Sequence, residues 1–196
     1  MSDYHHGDLA NALLQSARSV LNEKGIHGLS LRGCAAHAGV SHAAPTYHFK
    51  SLRGLLTELA VIAYDEFTAT LQARYEEVSH ELPRDRLQKV CQAYVDFAIR
   101  EPQLFELMFS STPLDFENSR LKSSAAKAYL QLTGVVHPAF DEKGLSEDKR
   151  EQAEALIWSV VHGYASLILS ERGRHGECSD SSKAVLPDLS LLGELL

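Results

Sequence analysis

The chain is 196 residues long, 44% apolar, 23% charged and 8% aromatic, a composition suited to one or two folded domains and not to disorder. Its formal net charge of −7, taken alone, argues against a nucleic-acid binder. The opening MSDYHHGDL has no basic stretch followed by an apolar run, and no segment is apolar for long enough to span a bilayer, so a cytoplasmic protein without a membrane partner is expected.

Charge is spread unevenly. Residues 1–57 hold five basic and three acidic side chains, while the remainder holds fourteen basic and twenty-three acidic. Six of the ten histidines (5, 6, 27, 37, 42 and 48) also lie in the first part. This asymmetry predicts a small basic module on a larger acidic body. Cys34, Cys91 and Cys178 are odd in number and far apart, without a CxxC pair. No disulfide framework, zinc site or other cofactor is expected.

Helical periodicity runs from end to end. The first helix is predicted to start at Asp8 as N-cap, to bury Leu9, Leu13, Ala17, Val20 and Leu21, and to end at Gly25. A short second helix runs from Leu31 to Ala38 with Ser30 as its cap. Gly39 then permits a left-handed turn, Val40 plugs the angle between helices, and Ser41 caps the third helix. Counting from Ser41 puts Pro45 at the fifth position, where it forgoes only the bond back to the cap carbonyl.

A fourth helix from about Ser51 into the seventies carries an apolar seam of Leu52, Leu55, Leu56, Leu59, Ala60, Ala63, Phe67 and Leu71. Pro83 opens a fifth, which Glu101-Pro102 stops. The short aromatic segment QLFELMF follows, then a helix over about 117–136 stopped at His137-Pro138. Ser146 is expected to cap a long helix reaching about Arg172. GRHGECSDSS reads as a loop, and LPDLSLLGELL as a short terminal helix. The expected fold is all-α, with about nine helices.

A helix of about eight residues, then Ala38-Gly39-Val40-Ser41, then a second short helix has the spacing of a helix-turn-helix, though a structural helical hairpin can share it. Over residues 13–56 (LLQSARSVLNEKGIHGLSLRGCAAHAGVSHAAPTYHFKSLRGLL) the match becomes broader. With its G-x-x-x-L-S linker, A-x-x-A-G-V-S turn, aromatic-His-Phe-Lys-Ser tract and paired leucines, the chain resembles the N-terminal domain of the TetR family of transcriptional regulators. YHHGD at the start and I-W-x-x-V-H-G at 157–163 resemble the subgroup whose C-terminal WHG domain is named for its Trp, His and Gly. The resemblance implies a three-helix DNA-binding domain over 1–55, with its motif at about 31–50, and a helical effector-binding and dimerisation domain over 56–196. It also implies a homodimer on double-stranded DNA, its third helices in successive major grooves of a near-palindromic operator, about 34–36 Å apart.

The resemblance assigns roles to single residues. Ser30 and Arg32 fall where phosphate or base is touched, and Arg32 suits bidentate reading of guanine. Ser41, with the backbone N–H groups of His42 and Ala43, suits phosphate. Thr46, Tyr47 and His48 face the groove or its walls, and Lys50 makes a positioning phosphate contact. Phe49 and Val40 read as core. Arg32, His42 and His48 also admit ordinary solvated roles, and His5-His6 a polar arm, which can enter a minor groove, over a metal pair. Relatives in the family mostly carry Tyr where Thr46 stands and commonly Lys where Leu52 stands. Fewer phosphate contacts and a shallower salt dependence are therefore expected.

In the body, Phe97, Phe105, Met108, Phe109, Phe116, Tyr129, Phe140, Trp158 and Tyr164 are candidates either for an apolar effector cavity or for plain core. Phe97, Met108, Phe109, Tyr129 and Trp158, with His162 one turn on from Trp158, form the candidate ligand site. Small residues Ser159, Gly163 and Ser166, with Leu191, Leu192 and Leu195, form the candidate dimer interface. The expected function is that of a repressor released by a small apolar effector, the fourth helix swinging as a lever. The alternative is an adaptor of the same fold with weak or lost DNA binding. No GxSxG, P-loop, HExxH or dinucleotide fingerprint is present, so no enzyme is expected.

Overall fold

The computed structural model of the chain describes residues 6–109, 114–141, 146–170 and 184–194. Every regular element among them is helical: α1 (His6–Lys24), a 3-10 turn (Ile26–Gly28), α2 (Leu31–His37), α3 (Ala44–Phe49), α4 (Leu52–Glu77), α5 (Pro83–Arg100), α6 (Pro102–Phe109), α7 (Ser119–Asp141), α8 (Glu147–Leu169) and the single turn α9 (Leu191–Glu194). Contacts divide the chain into two compact units, Met1–Tyr64 with Gln103–Ala125, and Asp65–Pro102 with Ala126–Leu196. The division passes through α4 and α7, so each of these helices belongs to both units. None of the described helices is long and apolar enough to cross a membrane.

In the first unit, α1 buries Leu13, Ala17, Val20 and Leu21 of the predicted stripe against α2 and α3, while Leu9 is only half-buried. Each such leucine or valine stabilises the fold by about 1.5–3 kcal/mol. Ser16 also faces inward, where its hydroxyl donates to the Cys34 carbonyl (2.8 Å) and lies 3.1 Å from His37 Nδ1, so this buried hydroxyl is not stranded. Gly25 ends α1 at φ 67, a conformation that favours glycine, and its N–H closes on the Leu21 carbonyl.

Two helix starts differ from expectation. α1 begins at His6, so Asp8 lies inside its first turn instead of capping it. α3 begins at Ala44 with Ala43 at the N-cap and no side-chain cap bond, while Ser41 opens a preceding turn through its carbonyl, which accepts from Ala44 N–H. The proline explains the shift. Pro45 fits the first turn of a helix, where its fixed φ is ready-made and an N–H would have no partner, so it costs no helical bond at all.

The join from α3 to α4 is tight. Lys50 adopts φ 66 and ψ −41, and Ser51 N–H bonds to the Phe49 carbonyl at 2.7 Å, which makes a γ-turn of the rare positive-φ kind. Ser51 Oγ then accepts from Gly54 N–H and caps α4. Gly54 is required here, because a Cβ would stand 2.0 Å from the Phe49 carbonyl oxygen.

In the second unit α5 packs against α8. Phe67 meets Tyr94 and Phe97 edge-on at 4.9 and 5.1 Å, in a core shared with Leu71, Val90, Ile157 and Val161. α7 does not stop at His137-Pro138 but continues through the proline to Asp141. The bond that Pro138 cannot make belongs to the carbonyl of exposed Gly134, which solvent can satisfy, while Val135, Val136 and Ala139 hold the helix by burial. Ser146 occupies the N-cap of α8 through its carbonyl, which accepts from Lys149 and Arg150 N–H; its side chain makes no cap bond, and α8 ends at Leu169.

The extended segment at 184–189 is laid along α5 by two glutamines. Gln92 donates to the Ala184 carbonyl and accepts from Leu186 N–H, while Gln88 donates to the Leu186 and Pro187 carbonyls and accepts from Leu189 N–H. Leu186 and Leu189 are buried beneath these bonds. His5, Cys178, the loop at 173–182 and Leu195 lie outside the described residues.

Candidate nucleic-acid interface

α2 and α3 meet around Gly39 at φ 67, where Gly39 N–H bonds to Ala36 and Val40 N–H to Ala35. Along α3, Pro45 and Phe49 stand four apart and are both buried. Helical phase therefore turns Ala43, Thr46, Tyr47 and Lys50 outward as one stripe, and all four are exposed. Tyr47 is the extreme case, 67% exposed although large and apolar. Ser41, His42 and Arg32 are also exposed, His48 is half-buried, and Val40 is only half-buried beside the fully packed Phe49.

Two predicted contacts have local duties as well. Ser30 Oγ accepts from Gly33 N–H at 3.0 Å, so it caps α2 as expected. Lys50 Nζ donates to the Tyr47 carbonyl at 3.0 Å and lies 5.7 Å from the centre of the Tyr47 ring, closing the C-terminal end of α3. The sequence reading puts the N–H groups of His42 and Ala43 at the start of the third helix; both residues instead precede α3, and their N–H groups belong to the turn.

The body residues fall into two groups. Met108 is buried and Phe109 half-buried in the first unit, Phe109 against Phe105 and Tyr64. Phe97, Tyr129, Trp158 and His162 are in the second. Phe97 is wholly buried in the aromatic core, and Tyr129 and Trp158 are 43% and 40% exposed, edge to face at 6.0 Å. His162 lies 6.5 Å from the Trp158 ring and places Nδ1 2.9 Å from the Tyr94 hydroxyl; burial pushes its pKa below the ordinary histidine value. Phe116, a cavity candidate by sequence, is 58% exposed and belongs to the surface. Of the candidate interface residues, Ser159 and Leu191 are exposed, and Gly163, Ser166 and Leu192 are half-buried.

The N-terminal part of this architecture, residues 13–59, matches the model for bacterial regulatory proteins of the tetR family. Residues 87–186 match the tetracyclin repressor-like C-terminal domain. The chain belongs to the TetR family. It is 25% identical over 150 residues to YttP of Bacillus subtilis, a probable HTH-type transcriptional regulator, covering 76% of this chain and 69% of that one. It is 22% identical over 176 residues to the HTH-type transcriptional regulator BetI of Pectobacterium carotovorum, covering 78% and 89%. A solved protein of unknown function from Rhodococcus sp. RHA1 superimposes with a TM-score of 0.76 at 29% identity, covering 93% of each chain. The TetR-family chain is thus a DNA-binding transcriptional regulator and not an enzyme.

Sequence reasoning missed two polar clusters of this TetR regulator. Arg53 donates to Asp115 Oδ1 (3.0 Å), Asp115 N–H donates to Thr57 Oγ1 (2.9 Å), and the Thr57 hydroxyl donates to the Arg53 carbonyl (2.7 Å), forming a closed ring. Beside it Arg120 pairs with Glu58. In the second unit, buried Glu154 accepts from the Tyr129 hydroxyl at 2.6 Å and pairs with His137 Nε2. Burial works to raise the Glu154 pKa, but the bonds from Tyr129 and His137 outweigh it and hold the carboxyl below its usual value; the same bond pushes the Tyr129 hydroxyl up to about 12. One signal was available: Glu154 shares the inward phase of Ile157 and Val161 on α8. Among the described residues no group of His, Cys, Asp and Glu is placed to hold a metal ion.

Proposed function

We propose that this regulator is a homodimeric repressor of the WHG subgroup. Residues 1–55 read a near-palindromic operator in double-stranded DNA, and residues 56–196 dimerise and bind a small apolar effector that lowers operator affinity. The observation that carries the reading is the outward stripe of Ala43, Thr46, Tyr47 and Lys50, fixed by the buried Pro45 and Phe49, on the part of the chain with surplus positive charge. Arg32 reads guanine, Ser30, Ser41 and the 42–43 backbone hold phosphate, and His48 lines the groove wall. Small Ala43 and Ala44 let the backbone come close.

On α8, exposed Leu156 and Leu167 flank Gly163, where a Cβ would meet nothing within 4 Å. That face supports a close helix–helix dimer contact with Ser159, Ser166 and the terminal leucines. α4 runs unbroken from one unit into the other, which suits it to carry a change at the effector site to the reading head. Trp158, His162, Tyr129 and Phe97, all of the second unit, then bind the effector.

The test is operator selection followed by Arg32→Ala. The variant should lose about 1–3 kcal/mol on the selected site and far less on random duplex. Equal losses on both would remove Arg32 as a base reader. No binding to any duplex at low salt would restore the adaptor reading, and an effector that saturates without changing operator affinity would remove the lever.

A further inference from the structure

Arg53 occupies the first turn of α4, three residues beyond Lys50 and just past the γ-turn that ends the exposed stripe. Its side chain is 55% exposed and that of its partner Asp115 is 44% exposed. Arg53 reaches Asp115 through one terminal nitrogen, at 3.0 Å. A guanidinium offers five N–H donors in a fork that fits phosphate oxygens as well as carboxylate oxygens.

The neighbouring pair is built differently. The carboxylate of Glu58, which holds Arg120, is only 23% exposed, so it is the more sheltered of the two acids, although Arg120 itself is 65% exposed. Asp115 has a second hold on α4 that does not involve its carboxylate: its backbone N–H is bonded to the oxygen of Thr57, a buried residue. Leu114 beside it is buried too. The same carboxylate oxygen also accepts from Glu117 N–H, but at a long 3.4 Å, so side-chain rotation can release Arg53 while the Thr57 bond keeps the segment docked. Half-exposed ion pairs of this kind hold by about fivefold at most, so a phosphate competes on near-equal terms.

We propose that Arg53 is a shared cation, taken by a DNA backbone phosphate when the head is bound to DNA and held by the Asp115 carboxylate when it is not. This rests on the reading that the first unit binds duplex DNA through the α3 face. Asp115 then acts as a competitor for one phosphate contact, and the segment ahead of α7 sets part of the affinity of the head. By reciprocity, binding to DNA frees the Asp115 carboxylate.

The experiment is a double-mutant cycle with Asp115→Asn, Arg53→Gln and the pair, read as affinity for a mixed-sequence duplex of about three helical turns over a salt series. Thermal unfolding of each variant checks that the Thr57 anchor survives, and Asp115→Glu, which restores a carboxylate, should return the affinity toward wild type. Asp115→Asn is expected to bind about two- to fivefold tighter when Arg53 is present and to gain nothing when it is Gln. Arg53→Gln should make the slope of log affinity against log salt shallower by about 0.9 for each head. An equal gain from Asp115→Asn in both backgrounds, or an unchanged slope in Arg53→Gln, would overturn the exchange. Wild type that binds no duplex even at low salt would instead overturn the DNA-binding reading beneath it.

Discussion

Replacing Gly54 by alanine tests whether the α3–α4 junction or intrinsic helix propensity governs the head. Gly54 is the third residue of α4, and propensity alone predicts a gain of about 1 kcal/mol from alanine in a helix. The junction predicts the reverse. The new Cβ would fall 2.0 Å from the Phe49 carbonyl oxygen and 3.2 Å from its carbon, whereas ordinary contact begins near 3.4 Å. The backbone of Phe49 would have to retreat by about 1.4 Å, yet its carbonyl accepts from Ser51 and its ring is buried. Overpacking costs about 1–3 kcal/mol, and a 2.0 Å approach to backbone belongs to the upper part of that range, about 2–3 kcal/mol. After the propensity gain of about 1 kcal/mol, a net loss of about 1–2 kcal/mol is expected. Urea unfolding followed by far-ultraviolet circular dichroism measures it. Gly134→Ala is the control: it lies inside α7 with nothing within 4 Å, and should gain roughly 0.5–1 kcal/mol. A Gly54→Ala protein as stable as wild type, or more so, would refute the packing argument.

Lys50→Gly separates the two duties of the lysine. Relief of the positive φ should stabilise the fold by about 1 kcal/mol, while loss of the cation should weaken DNA binding at low salt; a variant that melts earlier would show that the strain is absent. Stability should also fall on acidification. His162 has a folded pKa below its ordinary 6.5, so its contribution is complete above 6.5 and is lost as pH drops toward the folded value. Glu154, held below 4.5, adds a second loss of the same sign at lower pH. Urea midpoints between about pH 7 and 5 check this, with His162→Gln expected to flatten the upper part; a midpoint constant over that range would rule it out.

Much of the architecture was legible because burial follows period. The stripe of α1, the seam of α4 and the cap of α2 were all readable from spacing alone. The starts of α1 and α3 differ from expectation because a residue able to cap a helix need not stand at its first turn; a proline with its φ already set moves the second of them. Pro138 was read as a stop because local chemistry says so, and burial of Val135, Val136 and Ala139 overrode it. On α3 the sequence reading grouped Thr46, Tyr47 and His48, whereas helical phase exposes Thr46 and Tyr47 with Ala43 and Lys50 and leaves His48 half-buried. What sequence could not give was partnership across distance: Arg53 with Asp115, and Glu154 with Tyr129 and His137, are pairs separated by 62, 25 and 17 residues. Nothing in local spacing encodes such meetings.

The two glutamines of α5 measure out the segment beside them. Gln88 and Gln92 are one helical turn apart, and each amide bonds the tail through both its N–H and its oxygen. A strand would be aligned by a neighbouring strand's backbone, which repeats every two residues and tolerates slippage. Here the gauge is two side chains at a fixed separation, and it accepts only one register: Leu189 N–H on Gln88 and Leu186 N–H on Gln92. Deleting one residue between them would free one glutamine or the other and lift a buried leucine with it, whereas lengthening the chain beyond Ser190 would leave the gauge untouched.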